Sequence, residues 1–164
     1  LFVIDDLRAP QPRTFQWILH PNSRLHTVES IAAGGEALEV GGEALAGPVH
    51  VVKEGKRMRV RSLAPEGLGF RYVVYPGAEQ YNPYLQVDHP AAESTVLVSL
   101  LEFGETTAED VTCEVSDGSV AVDFTSDDAE YAVDLRLVGG DGNGPAVRVT
   151  RDGEALMNED APDL

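Results

Sequence analysis

Val120-Ala121-Val122-Asp123-Phe124 and, a turn later, Tyr131-Ala132-Val133-Asp134-Leu135-Arg136-Leu137 decide the fold class. In both stretches large apolar side chains fall on every second residue, with small or charged ones between, which is the period of a half-buried β-strand and not of a helix. Working outward, strand signals recur at Phe2–Asp5, Arg13–Leu19, His50–Lys53, Arg57–Leu63, Gly69–Tyr75, Thr95–Phe103, Val111–Val115, Ser119–Phe124, Tyr131–Leu137 and Ala146–Thr150. Turn dipeptides such as Glu54-Gly55, Asp117-Gly118 and Asp152-Gly153 lie between them. With 16 Gly, 10 Pro and no helix-period stretch, the expected fold is all-β, an antiparallel β-sandwich of roughly ten or more strands. The 164 residues, 43% of them hydrophobic, suit one domain with one core. The boundaries expected are residues 1–157 for the sandwich and an acidic flexible tail over 158–164, where three acids and a Pro crowd seven positions. Leu1-Phe2-Val3-Ile4 already reads as a strand at the first residue, so the chain is expected to be a piece of a longer protein.

The net charge of −16 is unevenly held. Through Tyr75 there are 9 Lys and Arg against 8 Asp and Glu; from Pro76 onward there are 3 against 20. Such an acidic half repels nucleic acid and anionic lipid, and no apolar run is long enough to cross a bilayer as a helix, so neither nucleic acid nor membrane is an expected partner. Cys113 alternates with Thr112 and Glu114 beside Val111 and Val115, the pattern of a buried structural thiol; with one Cys no internal disulfide is possible. His20, His26, His50 and His89 lack metal-ligand spacing. Ser126-Asp127-Asp128 and Asp141-Gly142-Asn143-Gly144 carry oxygen ligands without the later carboxylate of a calcium loop, and read as hairpin turns. No metal or cofactor is expected. The near-repeat Gly34–Val40 and Gly41–Gly47 is too short for a solenoid and reads as a hairpin or an irregular edge.

Two surfaces draw functional interest. Lys53, Lys56, Arg57, Arg59 and Arg61 place 5 of the 12 basic residues within nine positions, and on a strand Arg57, Arg59 and Arg61 share one face while Met58 and Val60 turn inward. That row suits the carboxylates or sulfates of an acidic glycan, or an acidic neighbouring domain; the acidic half of the chain itself is a candidate to neutralise it. Tyr81 and Tyr84, in Gln80-Tyr81-Asn82-Pro83-Tyr84, are rings that either stack on sugar or pack over a sheet end.

The segment Phe2-Val3-Ile4-Asp5-Asp6-Leu7, a short Pro-containing link and Thr14-Phe15-Gln16-Trp17-Ile18-Leu19-His20-Pro21 resembles the β-sheet region of the heparinase II/III-like polysaccharide lyases. There a strand ending in an acidic dipeptide leads to one with an aromatic pair and a terminal His. Ser94-Thr95-Val96-Leu97-Val98-Ser99-Leu100-Leu101 is similar to a later core strand of that region, so the resemblance spans about the first 105 residues. It implies a parent protein with an upstream helical toroid that cleaves uronic-acid glycosides by β-elimination, exported or periplasmic. Its catalytic residues would lie mostly in the toroid, so this chain is expected to be a non-catalytic accessory domain that supports the toroid and contacts acidic polysaccharide. His20 closes the aromatic strand and does not match the His-containing catalytic segment, so no catalytic role passes to it. The alternative is an independent carbohydrate-binding or adhesion module of a secreted multidomain protein. No general base stands at recognisable spacing from an acid and an anion-stabilising group, which argues against a complete small enzyme.

Overall fold

The computed structural model describes residues 1–22, 27–77, 82–105, 107–116, 118–137 and 145–160. Among them are fourteen strands and no helix, so the all-β antiparallel reading holds. The chain divides into two compact units, Leu1–Glu105 and Thr106–Leu164, where composition alone suggests one core.

The first unit carries nine strands: β1 (Phe2–Arg13), β2 (Gln16–Leu19), β3 (Ser30–Ala33), β4 (Glu36–Ala37), β5 (Val49–Lys53), β6 (Lys56–Ala64), β7 (Phe70–Val73), β8 (Tyr84–Asp88) and β9 (Ala92–Phe103). They form a six-stranded sheet in the order β1-β9-β6-β5-β3-β4 and a three-stranded sheet in the order β2-β8-β7. One continuous core joins them. Ile31, Ala33, Val49, Val51, Val60, Leu97 and Leu101 come from the large sheet, and Trp17, Phe70, Tyr72, Leu85 and Val87 from the small one. Trp17, 8% exposed, meets Phe70 edge to face with ring centroids 6.3 Å apart. Its strand alternates as the sequence requires, with Ile18 outward and Leu19 packed on the core. Each large apolar side chain buried this way stabilises by about 1.5–3 kcal/mol relative to exposure. Strand β9 is buried on both faces: Leu97 and Leu101 turn to the core, while Val98 and Leu100 lie opposite Ile4 and Phe2 of β1. Its unbroken apolar run, without alternation, follows from that.

The Gly34–Gly47 near-repeat resolves into the β3–β4 hairpin followed by an edge. Val40 and Leu45 make isolated bridges to Tyr72 and Phe70.

The second unit is a five-stranded meander, β10 (Glu109–Ser116), β11 (Ser119–Ser126), β12 (Ala129–Arg136), β13 (Ala146–Arg151) and β14 (Glu154–Asp160), in that spatial order. Asp127 and Asp128 both adopt positive φ (51° and 59°) between the paired Ser126 and Ala129, the two-residue turn that the twist of a hairpin favours. Ser126-Asp127-Asp128 is therefore a turn in which backbone geometry explains the acids. One sheet face carries Cys113, Val115, Val120, Val122, Val133, Leu135, Val147 and Val149 in register. Cys113 is half-buried there opposite Val122. β14 continues through Asn158 to Asp160, paired with β13, where the sequence suggests a tail; 161–164 lie outside the described residues.

Candidate functional site

Strand β6 positions the basic row. Val60 is fully buried and Met58 packs on the core, so alternation sends Arg57, Arg59 and Arg61 to the opposite face of the large sheet. The register of β6 on β9 sets Arg59 directly across from Glu102. The Glu102 carboxylate receives two hydrogen bonds from Arg59, from Nε and from a terminal nitrogen, each 2.6 Å, and a third from Arg61 at 3.3 Å. The side chains of Arg59, Arg61 and Glu102 are only 20%, 16% and 7% exposed. Burial lowers the Arg61 pKa, an effect that the Glu102 charge opposes and the Arg59 charge reinforces. Two members of the row thus share one carboxylate from the acidic part of the chain. Arg57 differs: it is exposed, beside exposed Lys56 at the tip of the β5–β6 hairpin, while Lys53 Nζ donates to Pro21 O at 3.0 Å. His50, exposed, faces Arg59 from β5.

The aromatic candidates part company. Tyr84 opens β8 and is 7% exposed, its ring 5.1 Å from that of His20, so it packs over the sheet end and offers sugar no open face. Tyr81 lies outside the described residues. Asn22 joins three segments: its amide donates to Tyr72 Oη (2.6 Å) and Pro83 O (2.9 Å), and its oxygen accepts from Val28 N (2.8 Å).

The structure also assembles a polar face that the strand pattern did not reveal. On the side of the small sheet away from Trp17 and Leu85, Gln16, Gln86 and Arg71 surround Asp88. Asp88 Oδ1 accepts from Gln16 at 2.8 Å and from Gln86 at 2.7 Å, and Oδ2 accepts from Arg71. Gln86 is buried, whereas Arg71 is more than a third exposed, and exposed Ile18 and His20 complete the face. The one sequence signal for it is Gln86 and Asp88 alternating with Leu85 and Val87.

No described group of three His, Cys, Asp or Glu side chains converges on a metal position. His89 bonds Thr95 Oγ1 (3.1 Å) and Pro90 O (2.6 Å); His26 and Asp141–Gly144 lie outside the described residues. No helix among the described residues is long and apolar enough to cross a membrane. Compared with known proteins, the chain matches no family model, and no curated protein matches it significantly.

Proposed function

We propose that this chain is a non-catalytic β-sandwich domain of a heparinase II/III-like polysaccharide lyase, supporting the catalytic domain and contacting acidic glycan through the open end of its basic row. The observation that carries the glycan contact is the division of that row. Glu102 occupies Arg59 and Arg61, while Arg57, at the hairpin end of the row, stands exposed. An exposed guanidinium suits the carboxylates or sulfates of an extended uronate chain. The charge of −16 opposes a polyanion at long range. Binding is therefore expected no tighter than roughly millimolar and weakened by salt.

Titration with uronate oligomers tests the contact. The Lys56→Ser/Arg57→Ser protein should bind several-fold more weakly than the parent chain, and the Arg59→Ser protein should lose stability before affinity. Equal binding by the parent and the Lys56/Arg57 variant would remove this surface from consideration. The wider assignment rests on the coding sequence upstream of Leu1: several hundred helix-rich residues are expected there. A succession of other sandwich modules would favour the independent carbohydrate-binding module instead.

A further inference from the structure

On the outer side of the small sheet the register lays out a platform. Gln16 stands across from Asp88, and in the next row Ile18, Gln86 and Arg71 stand side by side on β2, β8 and β7. Neighbouring strands lie about 4.8 Å apart and alternate residues of one strand about 6.6 Å apart, so these five side chains cover about 10 by 7 Å, room for a sugar ring. Three donors converge on the Asp88 carboxylate: Gln16 at 2.8 Å, Gln86 at 2.7 Å and a terminal nitrogen of Arg71. One guanidinium, one carboxylate and two amides make a group that is neutral as a whole, in a chain of net charge −16.

Stability gives little reason for this arrangement. The side chains of Arg71 and Asp88 are 39% and 31% exposed, and an ion pair so open contributes little. Fixing long glutamine and arginine side chains costs entropy. Recognition gives a better reason, because groups fixed in advance on strands lose less freedom when a ligand arrives.

The hydrogen-bonding capacity left over specifies the ligand. With Asp88 taken by three donors, each glutamine amide keeps a second N–H and its oxygen, and Arg71 keeps N–H groups that meet no other described residue. Donors and acceptors thus stand side by side. A hydroxyl both donates and accepts and matches such a surface, whereas an anion meets Asp88 beside Arg71 and a cation meets Arg71 beside Asp88. Ile18, 44% exposed, adds an apolar patch for the C–H face of a ring.

We infer that this platform binds a neutral sugar carrying adjacent hydroxyls, as a unit of an uncharged glycan chain. It lies across the core of the first unit from the basic row, and it stands whether or not that row contacts uronate.

The test is NMR titration of the full chain with cellohexaose, mannohexaose and laminarihexaose, and with a uronate oligomer, reading the side-chain amide signals of Gln16 and Gln86. At least one neutral hexaose should shift both amides saturably, in low and moderate salt alike. Gln16→Ala should weaken that binding about fivefold and Arg71→Lys about tenfold, as loss of a neutral and of a charged hydrogen bond does. Arg8→Ser, exposed on β1 next to core-packed Leu7 and so on the outer face of the large sheet, should leave it unchanged. Folding of each variant is checked by circular dichroism, and should Arg71→Lys unfold, Gln16→Ala at its exposed position carries the test. No saturable shift with any of the three neutral sugars, equal weakening by Arg8→Ser, or a uronate oligomer that shifts both amides as strongly as the neutral sugars would each overturn the inference; the last would mark attraction to the Arg71 charge alone.

Discussion

Replacing Glu102 by Gln should be among the most damaging single changes on the outer face of the large sheet. The Glu102 side chain is 7% exposed and holds Arg59 and Arg61, which are themselves mostly buried. Removing its charge leaves two guanidinium groups of like sign on neighbouring positions of one strand face without the carboxylate that accepts from both. Breaking a buried ion pair by removing one partner costs about 3–5 kcal/mol, and the partial exposure of both arginines favours the low end, about 3 kcal/mol. A unit spanning Leu1–Glu105 that unfolds with about 2.1 cal/mol/K per residue would then melt roughly 14 °C lower, or roughly 9 °C lower if the whole chain melts as one. Differential scanning calorimetry at low and moderate salt measures this directly. Arg57→Ser serves as the internal standard, since an exposed arginine should change stability by no more than about 0.5 kcal/mol. A Glu102→Gln shift no larger than that of Arg57→Ser would refute the view that this carboxylate holds Arg59 and Arg61. Replacing all three by apolar residues, Arg59→Met, Arg61→Met and Glu102→Leu, should restore most of the loss, because the desolvation cost of the charges disappears with them.

Trp17→Ala should cost about 3–5 kcal/mol, and the parent chain should show blue-shifted Trp emission that resists quenching; emission at the position of free Trp would overturn the placement against Phe70. Asn22→Ala should cost about 1–3 kcal/mol, because it strands Tyr72 Oη and Val28 N; a urea midpoint equal to that of the parent would show that water replaces the amide. The isolated chain should release no ultraviolet-absorbing unsaturated uronate from heparan or alginate, and release abolished by His20→Ala would contradict the accessory role.

Much of the first unit was legible because its strands obey alternation. Trp17 and Val60 turn inward as their neighbours demand, and in the second unit the β11–β12 hairpin follows from two clean period-two segments. β8 escaped because Asn82-Pro83 precedes it and reads as loop, although Leu85 and Val87 alternate with Gln86 and Asp88 behind it. β14 escaped for a different reason: it is exposed along its described side chains and is held by backbone pairing to β13, not by burial. The basic row was visible, but its pairing with Glu102 was not. Arg59 and Glu102 are 43 positions apart, and Gln16 and Asp88 are 72 apart. Which strands lie side by side is settled by packing across the whole unit, and no local pattern carries it. The division into two units is equally hidden, since both halves contain strands of the same period.

The pairing of β1 with β9 also governs the order in which the chain can fold on the ribosome. Phe2 waits for Leu100, 98 positions later, and Leu1 exchanges hydrogen bonds with Leu101. At about 5–20 residues per second, the apolar first strand spends roughly 5–20 s without β9, its neighbour in the sheet. Over that interval Phe2, Val3 and Ile4 form an open edge that any passing strand can pair with. The meander has no such delay: each of its strands pairs with the one next to it in sequence. Recovery of this folded unit therefore depends on how well nascent β1 is shielded until β9 arrives.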